Sequence, residues 1–532
     1  MTSLDPDNNR TLIDELLAEQ QSLTAVDRFA QRNGHHAAPS SENFYRDLIP
    51  LTQPQPGQQY AFEVDLDKCS GCKACVSACH SLNGLDDDET WRDVGLLFSD
   101  DWRKPFQQTV TTACHHCVDP GCLNGCPVLA YDKDPFTGIV RHLDDQCIGC
   151  QYCVMKCPYD VPKYSKKRGI VRKCDMCANR LAIGEAPACV QACPSEAIRI
   201  ITVNKAEIAA AASRENFLPS APDSSLTLPT TLYKSSKPLP LSLVAGDHAQ
   251  LKPSDSHLPL VFMLALTQLS VGASVAAVFA EPAKWLTFIA ASMSVLALCI
   301  AALHLGKPLK AWRSFLGWRK SWFSREVIVF SAFSPLAAAA ALNAQQDDSF
   351  LLLRIAAAVA GLMGVACSAM IYADTHREFW RASQCFGKFF GTVLLLGAAT
   401  TLAVQAFTRS EVISLIPAIV LLFAATLAKL GFEHRIFRYL VDENTPALSP
   451  LHKTARLIAD KLGLAARWRV ACGIFGGIVL PVCLIANRSG NNAAVASVAI
   501  AALMFCIAGE LLERYLFFTA VAPAKMPGGV AV

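Results

Sequence analysis

The spacing of cysteines constrains this chain more than any other feature. Sixteen of its 22 cysteines fall into four compact motifs, and three of these motifs end in a Cys-Pro step. The N-terminal stretch has no apolar signal region, so we expect a cytosolic, reducing compartment in which clustered thiols are metal ligands rather than disulfides. The four motifs are Cys69, Cys72, Cys75 and Cys79; Cys114, Cys117, Cys122 and Cys126; Cys147, Cys150, Cys153 and Cys157; and Cys174, Cys177, Cys189 and Cys193.

The motifs predict [4Fe–4S] clusters. Such a cube needs a soft thiolate on each of its four irons. A Cys-x2-Cys-x2-Cys loop can present three sulfurs to one cube, and the fourth cysteine, three residues later, can reach a neighbouring cube, as in two-cluster ferredoxins. Pro127, Pro158 and Pro194 follow the fourth cysteine and stop a helix from continuing, whereas His80 stands there in the first motif. Sixteen cysteines therefore predict four clusters in line.

Two alternatives exist for this part of the chain. Zinc also binds paired Cys-x2-Cys units, but zinc sites seldom combine a third cysteine at this spacing with a Cys-Pro exit. His115 and His116 are expected to donate hydrogen bonds near a cluster, or to be exposed, rather than to act as ligands. The basic run between Lys163 and Lys173 is expected to be a solvated or subunit-facing patch and not a nucleic-acid site.

The C-terminal half is apolar. Eight segments are long enough to cross a bilayer and lack a polar face, which predicts an all-α bundle of eight transmembrane helices. The segments are 258–280, 284–306, 326–345, 350–372, 386–407, 411–430, 468–487 and 493–516. The loops 307–325, 373–388 and 433–467 hold most of the lysines and arginines, so the positive-inside rule predicts that they face the cytoplasm. The cysteine motifs are expected on the same side of a bacterial inner membrane.

The predicted fold is an α+β ferredoxin-like domain of tandem two-cluster modules, followed by the helical bundle. An N-terminal extension at 1–59 includes a predicted amphipathic helix at 11–31. The iron–sulfur domain is expected at 60–205, a linker at 206–257, the membrane anchor at 258–520 and a C-terminal tail at 521–532.

Histidine is scarce in the apolar half, so bound haem is not expected there. A quinone is then the natural redox partner in the lipid. His304 ends the second segment and Glu326 begins the third, and both can exchange protons with a quinone at that depth. Glu510 and Arg514 are four residues apart in the last segment and are predicted to form a structural ion pair.

These motifs carry a family resemblance. The segments "CSGCKACVSACHSLNG", "ACHHCVDPGCLNGCPVLAYDKDPFTGIV", "CIGCQYCVMKCPYDVPKY" and "RKCDMCANRLAIGEAPACVQACPSEAI" resemble the iron–sulfur subunit of DMSO-reductase-type molybdoenzymes. The segments "HLGKPLKAWRSFLGWRKSWFSRE" at 304–326 and "GELLERYLFF" at 509–518 resemble the eight-span DmsC-type anchor. These parts are usually separate subunits and are fused here.

The resemblance implies nested ligation, in which motif one shares ligands with motif four, and motif two with motif three. It also implies a quinol site at His304 and Glu326. The implied ligand sets are Cys69, Cys72, Cys75 and Cys193; Cys79, Cys174, Cys177 and Cys189; Cys114, Cys117, Cys122 and Cys157; and Cys126, Cys147, Cys150 and Cys153.

The predicted function is electron transfer between membrane menaquinone or ubiquinone and a separate molybdopterin-containing catalytic subunit, as in anaerobic respiration. The chain itself is expected to carry no catalytic domain. Two other functions stay open: an electron relay of a hydrogenase-type or ion-pumping complex, which predicts more intramembrane carboxylates, and an iron–sulfur redox sensor, which requires an output domain.

Overall fold

A computed structural model describes residues 46–99, 101, 103–240, 242–345, 351–408, 412–441, 449–486, 492–523 and 525–529. The predicted amphipathic helix at 11–31 lies outside these residues. The described chain has a cysteine-rich part built of short strands and helices, followed by a part built of long apolar helices.

Four small sheets frame the cysteine motifs. The strand β1 lies at the centre of the first sheet and is buried along most of its length, because it pairs antiparallel with β8 and parallel with β9. The strand β2 pairs antiparallel with β3 and β10, and β4–β5 and β6–β7 are two-stranded hairpins. The strands are β1 (Gln58–Asp65), β2 (Asp93–Ser99), β3 (Gln107–Thr112), β4 (Tyr131–Lys133), β5 (Val140–His142), β6 (Lys163–Ser165), β7 (Ile170–Arg172), β8 (Ile198–Asn204), β9 (Leu232–Lys234) and β10 (Leu243–Ala245).

Short helices follow the cysteine loops, and proline sets where two of them end. Cys126 and Cys157 cap their helices with extended backbone, ψ 118° and 116°, as expected for a residue before proline. The helix after the first motif instead continues past Cys79, because His80 stands in place of proline. The helices are α1 (Ala74–Asn83), α2 (Gly121–Gly125), α3 (Tyr152–Lys156), α4 (Ala178–Ala182), α5 (Ala188–Gln191) and α6 (Lys205–Ala212).

The segment 206–257 differs from the linker that the sequence predicts. It contributes β9 and β10 to the two three-stranded sheets, and Leu218 is fully buried. The Tyr233 hydroxyl donates to the Thr111 carbonyl at 3.2 Å. Backbone pairing and buried hydroxyl groups hold this segment in place. Neither kind of contact requires apolar residues at regular intervals, which is the pattern by which a core segment is recognised in a sequence.

Eight long apolar helices in the described residues match the eight predicted spans. The seventh span consists of two α-helical segments joined by a π-helical turn (Phe475–Val479). A short helix, α13 (Pro450–Arg456), precedes it. The spans are α7 (Leu258–Phe279), α8 (Ala283–Ala302), α9 (Trp322–Asn343), α10 (Leu351–Ala373), α11 (Ala382–Phe407), α12 (Val412–His434), α14 (Gly463–Ile474) with α15 (Leu480–Ala486), and α16 (Asn492–Thr519).

The first and fifth spans, α7 and α11, form the centre of the bundle. They cross at Gly272 and Gly397, where a Cβ atom on Gly272 would lie 2.8 Å from the Gly397 nitrogen. Glycine is needed at this crossing because any side chain would push the two backbones apart. Small residues serve the same purpose wherever membrane helices pack closely.

Candidate metal centres and the membrane junction

The cysteines of the four motifs gather in space into sets that mix motifs. One small cavity is lined by Cys69, Cys72, Cys75 and, from the fourth motif, Cys193. A second cavity is lined by Cys114, Cys117, Cys122 and, from the third motif, Cys157. Each cavity therefore brings three cysteines of one motif together with one from another.

The remaining eight cysteines form two further sets. In the third set, Cys79 lies within electrostatic range of Cys177 and Cys189, and Cys174 within range of Cys79 and Cys189. In the fourth set, Cys126 is within the same range of Cys147, Cys150 and Cys153. The other eight cysteines thus lie near one another in the groups that the family resemblance implies, and Cys174 is also within range of Cys114 in the second cavity.

The backbone of the motifs suits thiolates that hold a cluster. The residue before the second cysteine has a positive φ in every motif: Gly71 at 74°, His116 at 41°, Gly149 at 71° and Met176 at 59°. This left-handed turn redirects the chain between two cysteines. Backbone N–H groups donate to Cys126 Sγ from Ala130 and to Cys193 Sγ from Ala197, both at 3.2 Å. Such hydrogen bonds favour the charged thiolate over the thiol.

The described residues form no site for a single metal ion by the distances between their possible ligand side chains. No three His, Cys, Asp or Glu side chains among them converge closely enough to hold one. A zinc site needs four ligand atoms about 2.0 to 2.3 Å from one point. Four cysteines around one small cavity, as in the first two sets, are the donor set that a cube of iron and sulfide requires.

His115 and His116 line the cavity of the second motif and are buried, so the alternative that they are exposed is wrong. His115 Nδ1 lies 2.8 Å from Thr231 Oγ1, and His116 Nδ1 accepts from the Val140 N–H at 3.0 Å. Within the described part of the chain, the Nε2 atom of each ring has no hydrogen-bond partner. Burial lowers the pKa of His115 to about 3 and the pKa of His116 well below its usual value, so both rings are neutral. Because His116 Nδ1 accepts a hydrogen bond, the proton of its neutral ring lies on Nε2, and such an N–H suits a cluster sulfur as acceptor.

The fourth set of cysteines lies against one end of the helical bundle. His304 Nε2 lies 3.0 Å from the Cys150 carbonyl oxygen, and the Lys307 N–H donates to the Ile148 carbonyl at 3.0 Å. A Cβ atom on Gly149 would lie 3.0 Å from both Cα and N of Gly306. The third motif and the loop between spans two and three therefore meet backbone to backbone.

Glu326 lies near the same junction, in the second turn of α9. Its side chain is buried, and the Ser368 hydroxyl of α10 donates to its Oε1 atom. The Ser324 hydroxyl, two residues earlier, donates to the Pro127 carbonyl at 3.3 Å. No hydrogen bond or ion pair among the described residues joins His304 to Glu326. His304, in the turn after α8, contacts the fourth cysteine set directly, whereas Glu326 is held within the bundle by Ser368.

Comparison with known proteins agrees with both halves of the chain. Residues 106–203 match the family described as "4Fe-4S dicluster domain", and residues 254–520, half of the chain, match "DMSO reductase anchor subunit (DmsC)". The chain is 32% identical to the B subunit of the anaerobic dimethyl sulfoxide reductase of Haemophilus influenzae over 189 residues, which are 34% of this chain and 91% of that protein. The chain belongs to the family of DMSO reductase iron–sulfur and anchor subunits.

Other relatives resemble the iron–sulfur half of this fused family member. The B subunit of the anaerobic dimethyl sulfoxide reductase of Escherichia coli is 37% identical over 148 residues, 26% of this chain and 72% of that protein. The iron–sulfur subunit of the nitrate-inducible formate dehydrogenase of Escherichia coli is 35% identical over 173 residues, 29% of this chain and 58% of that protein. The chain is therefore a multi-pass membrane protein with [4Fe–4S] clusters that works with a catalytic oxidoreductase partner.

Two buried cations of this DMSO-reductase-type subunit stand among the cysteines. Arg92 is 2% exposed and lies within electrostatic range of Cys75 and Cys189, and its Nε and Nη2 atoms find no hydrogen-bond partner among the residues that the structure describes. Lys173 is equally buried, with Nζ 3.6 Å from Cys114 Sγ and 2.7 Å from the Cys174 carbonyl oxygen. They place positive charge beside groups that become anionic with clusters bound.

The positions of these cations differ from what the sequence predicts. Lys173 belongs to the run predicted as a solvated or subunit-facing patch, and for Lys173 and Arg172 that prediction is wrong. Arg172 is buried and pairs with Glu89 at 3.0 Å. The position of Lys173 directly before Cys174 was a usable signal. Arg92 is a lone arginine far from any motif, and nothing in the sequence marks it.

The anchor half of this DmsC-family chain also buries a network of charges between spans five to eight. The predicted ion pair between Glu510 and Arg514 does not form. Glu510 instead pairs with Lys429 and, at 2.9 Å, with Arg469. Arg514 pairs with its neighbour Glu513. Lys388, predicted to belong to a cytoplasmic loop, lies inside α11 and is 3.4 Å from Glu513. Glu510 therefore finds its cations on neighbouring helices, whereas Arg514 pairs with the residue beside it on the same helix.

Proposed function

We propose that this chain carries electrons between membrane menaquinone or ubiquinone and a molybdopterin-containing catalytic subunit through four [4Fe–4S] clusters. One observation supports the proposal best: two cavities are each lined by three cysteines of one motif and one of another, and the Cys150 carbonyl oxygen lies 3.0 Å from His304 Nε2 at the bundle end. Clusters bound by these cysteines would give electrons a path from the membrane into the ferredoxin-like part.

The chain's own residues would hold the clusters and set their environment. The sixteen cysteines would bind as thiolates, in the mixed sets described above. When bound, the clusters would supply one-electron transfer. Backbone N–H groups at Cys126 and Cys193 and the buried cations Arg92 and Lys173 would offset the negative charge. The neutral rings of His115 and His116 would donate hydrogen bonds from Nε2.

At the bundle end, His304 and Glu326 would serve the quinone. Oxidation of a quinol releases two electrons and two protons, so proton acceptors are needed beside the ring. The Glu326 carboxylate is buried and held by Ser368, which makes it the natural acceptor or donor of a proton at this depth. His304 would hydrogen-bond a quinone oxygen from the opposite helix. Haem is not required by this scheme.

We also propose that the ferredoxin-like part faces the cytoplasm of a bacterial inner membrane. The loop between spans two and three contacts that part, with Lys310 Nζ and Arg313 Nη1 each 2.9 Å from the Asp145 carbonyl. The same loop is rich in cations and has no acids, which favours the cytoplasmic side. The partner subunit would bind to the cytoplasmic part, as the relatives' iron–sulfur subunits suggest.

The test starts with iron analysis of the complex purified anaerobically. About sixteen iron atoms per chain are expected for four cubes, and far fewer, or zinc in their place, would end the proposal. Reduction by dithionite and by a quinol probe, menadiol or decylubiquinol, is then followed by electron paramagnetic resonance. His304→Ala and Glu326→Gln should abolish reduction by quinol and leave reduction by dithionite intact. Normal quinol reduction in both variants removes these residues from the site.

A further inference from the structure

A polar cavity of about 220 Å³ lies between the ferredoxin-like part and the bundle. It is lined by residues from both parts, including Asp119, Lys156, Trp322, Asp374 and His376. Asp119 and His376 are at least partly exposed, so the outer wall meets the aqueous phase. A cavity of this size with several polar groups can hold a few ordered water molecules.

Asp374 forms the inner wall of this cavity and is held in a fixed position. Lys156 Nζ lies 2.7 Å from Asp374 Oδ2 and also 2.7 Å from the Asp374 carbonyl oxygen. The Tyr152 hydroxyl lies 3.1 Å from the Ile371 carbonyl oxygen and 3.4 Å from Asp374 Oδ2. Tyr152 and Lys156 both belong to α3, in the third cysteine motif. The carboxylate is thus oriented by α3, the helix that carries Cys153 of the fourth cysteine set.

Glu326 lies about one helical turn from this cavity along α9. Trp322 lines the cavity and stands one helical turn before Glu326 on α9, a rise of about 6 Å. On α10, Ser368 holds Glu326, and Asp374 follows six residues later. The Tyr152 hydroxyl is within electrostatic range of both carboxylates. The cavity therefore lies about one turn from the buried acid along α9, and Asp374, just past the end of α10, lies about 9 Å further along that chain than Ser368.

We propose that this cavity, with Asp374 at its inner wall, is the route by which protons pass between Glu326 and water on the side of the ferredoxin-like part. The inference rests on the proposed quinone site. When a quinol is oxidised, two electrons leave toward the fourth cysteine set, and the two protons pass in turn to the Glu326 carboxylate, to Asp374 and to cavity water. The same groups deliver two protons when a quinone is reduced.

The charges around Asp374 suit this task. Lys156 faces it from α3 and Lys320 from the loop between spans two and three, while Asp119 and His376 complete the charged and titratable lining. The carboxylate, its Lys156 partner and the other lining groups surround the same space, so a proton that reaches Asp374 can pass to cavity water. Tyr152 is a positioning residue: its hydroxyl fixes the carboxylate and keeps its own proton throughout.

The test compares Asp374→Asn and Tyr152→Phe with the wild type in the complete membrane complex. The rate of cluster reduction by menadiol or decylubiquinol is measured by stopped flow in H2O and in D2O. Asp374→Asn should slow this step at least about tenfold, in the range of a lost proton-transfer group, and raise its solvent isotope effect. Tyr152→Phe keeps the ring packing and should slow it several-fold, with the isotope effect moving in the same direction. Reduction by dithionite should be unchanged in both.

Ser321→Ala is the matched control. Its hydroxyl donates to the Gly125 carbonyl at 2.7 Å across the same junction, so it also removes one buried hydroxyl from the docking surface. It should stay within about twofold of the wild type. Equal slowing in Ser321→Ala and Tyr152→Phe, with no change in isotope effect, would assign Tyr152 and Asp374 to docking and overturn the route.

The variant Glu326→Gln separates this inference from the proposed function. If Glu326→Gln blocks reduction by quinol while Asp374→Asn and Tyr152→Phe behave as wild type, the quinone site stands and the route is wrong. If Glu326→Gln itself is reduced normally by quinol, Glu326 takes no part in the quinone site and the route fails, and if His304→Ala is also reduced normally, the proposed quinone site fails as well.

Discussion

At the scale of single residues, Lys173 tests how the protein adjusts the charge of its metal sites. Its ammonium is buried beside Cys114 and Cys174, where each added electron makes the surroundings more negative. Lys173→Met keeps the length of the side chain and removes the charge. We expect the midpoint potentials of the nearest clusters to fall by on the order of 50 mV, because a reduced cluster loses a Coulomb attraction. A redox titration followed by electron paramagnetic resonance measures this.

The control for that substitution is Lys167→Met. Lys167 lies six positions earlier, its side chain is 70% exposed, and it is 4.0 Å from Asp86. Water screens an exposed charge, so the potentials should move little. Equal shifts in the two variants would mean that total charge, and not the buried position of Lys173, sets the potentials.

Glu510 is the residue on which the buried network of the anchor depends. It is fully buried and accepts from both Lys429 and Arg469. Glu510→Gln would remove the buried one of the two carboxylates that these cations share, the other being Glu433 at 3.9 Å from Lys429 and 3.0 Å from Arg469. Breaking a buried ion pair costs about 3 to 5 kcal/mol in comparable cases. We expect the thermal unfolding midpoint of the detergent-solubilised protein to fall by roughly 5 °C or more.

A surface pair provides the comparison for Glu510. Arg456 and Asp460 lie 3.5 Å apart, and both side chains are about half exposed. An exposed pair contributes about 0 to 1 kcal/mol, so Asp460→Asn should leave the midpoint nearly unchanged. A midpoint for Glu510→Gln no lower than that of Asp460→Asn would show that the network is dispensable for stability.

At the scale of elements, docking depends on backbones that approach each other without side chains between them. A Cβ atom on Gly306 would lie 2.8 Å from the Tyr164 hydroxyl and would clash with the Gly169 carbonyl oxygen. Gly306→Ala should therefore displace the loop between spans two and three from the third cysteine motif. We expect slower cluster reduction by quinol and faster proteolysis at the junction, with unchanged reduction by dithionite.

Gly431→Ala is the control for this prediction. Gly431 lies in α12, and a Cβ atom there would meet nothing within 4 Å. Alanine also favours a helix over glycine, so the protein should be unharmed. Wild-type behaviour in Gly306→Ala would contradict a close backbone contact at the junction.

The same scale shows what a sequence can and cannot predict. The cysteine loops and the eight spans follow from short-range patterns, spacing in one case and runs of apolar residues in the other. The strand pairing of β9 and β10 and the ion pairs of Glu510 depend on residues far away in the chain, which no local pattern encodes. Lys388 illustrates the limit: its charge suggested a loop, yet its partner Glu513 on another span allows it to lie within a helix.

At the scale of the whole molecule, the contacts place the cysteine sets, the junction cavity and His304 at the same end of the bundle. Both the loop between spans two and three and the loop after α10 touch the ferredoxin-like part, through His304 and Asp374. The ends of even-numbered spans share one side of a membrane. If the proposed function holds, electrons and protons of the quinone reaction both enter or leave on that side.

This arrangement predicts little direct charge translocation. Neither electrons nor protons need to cross the bilayer, because the proposed quinone site, the cavity and the cysteine sets share one face. In liposomes that contain the complex with its catalytic partner, turnover with a quinol should leave a potential-sensitive dye nearly unchanged, while a pH dye on the side of the ferredoxin-like part records proton release. A membrane potential as large as that of a charge-translocating control enzyme would require a proton path through the buried charges around Glu510, between spans five to eight, and would contradict a one-sided reaction.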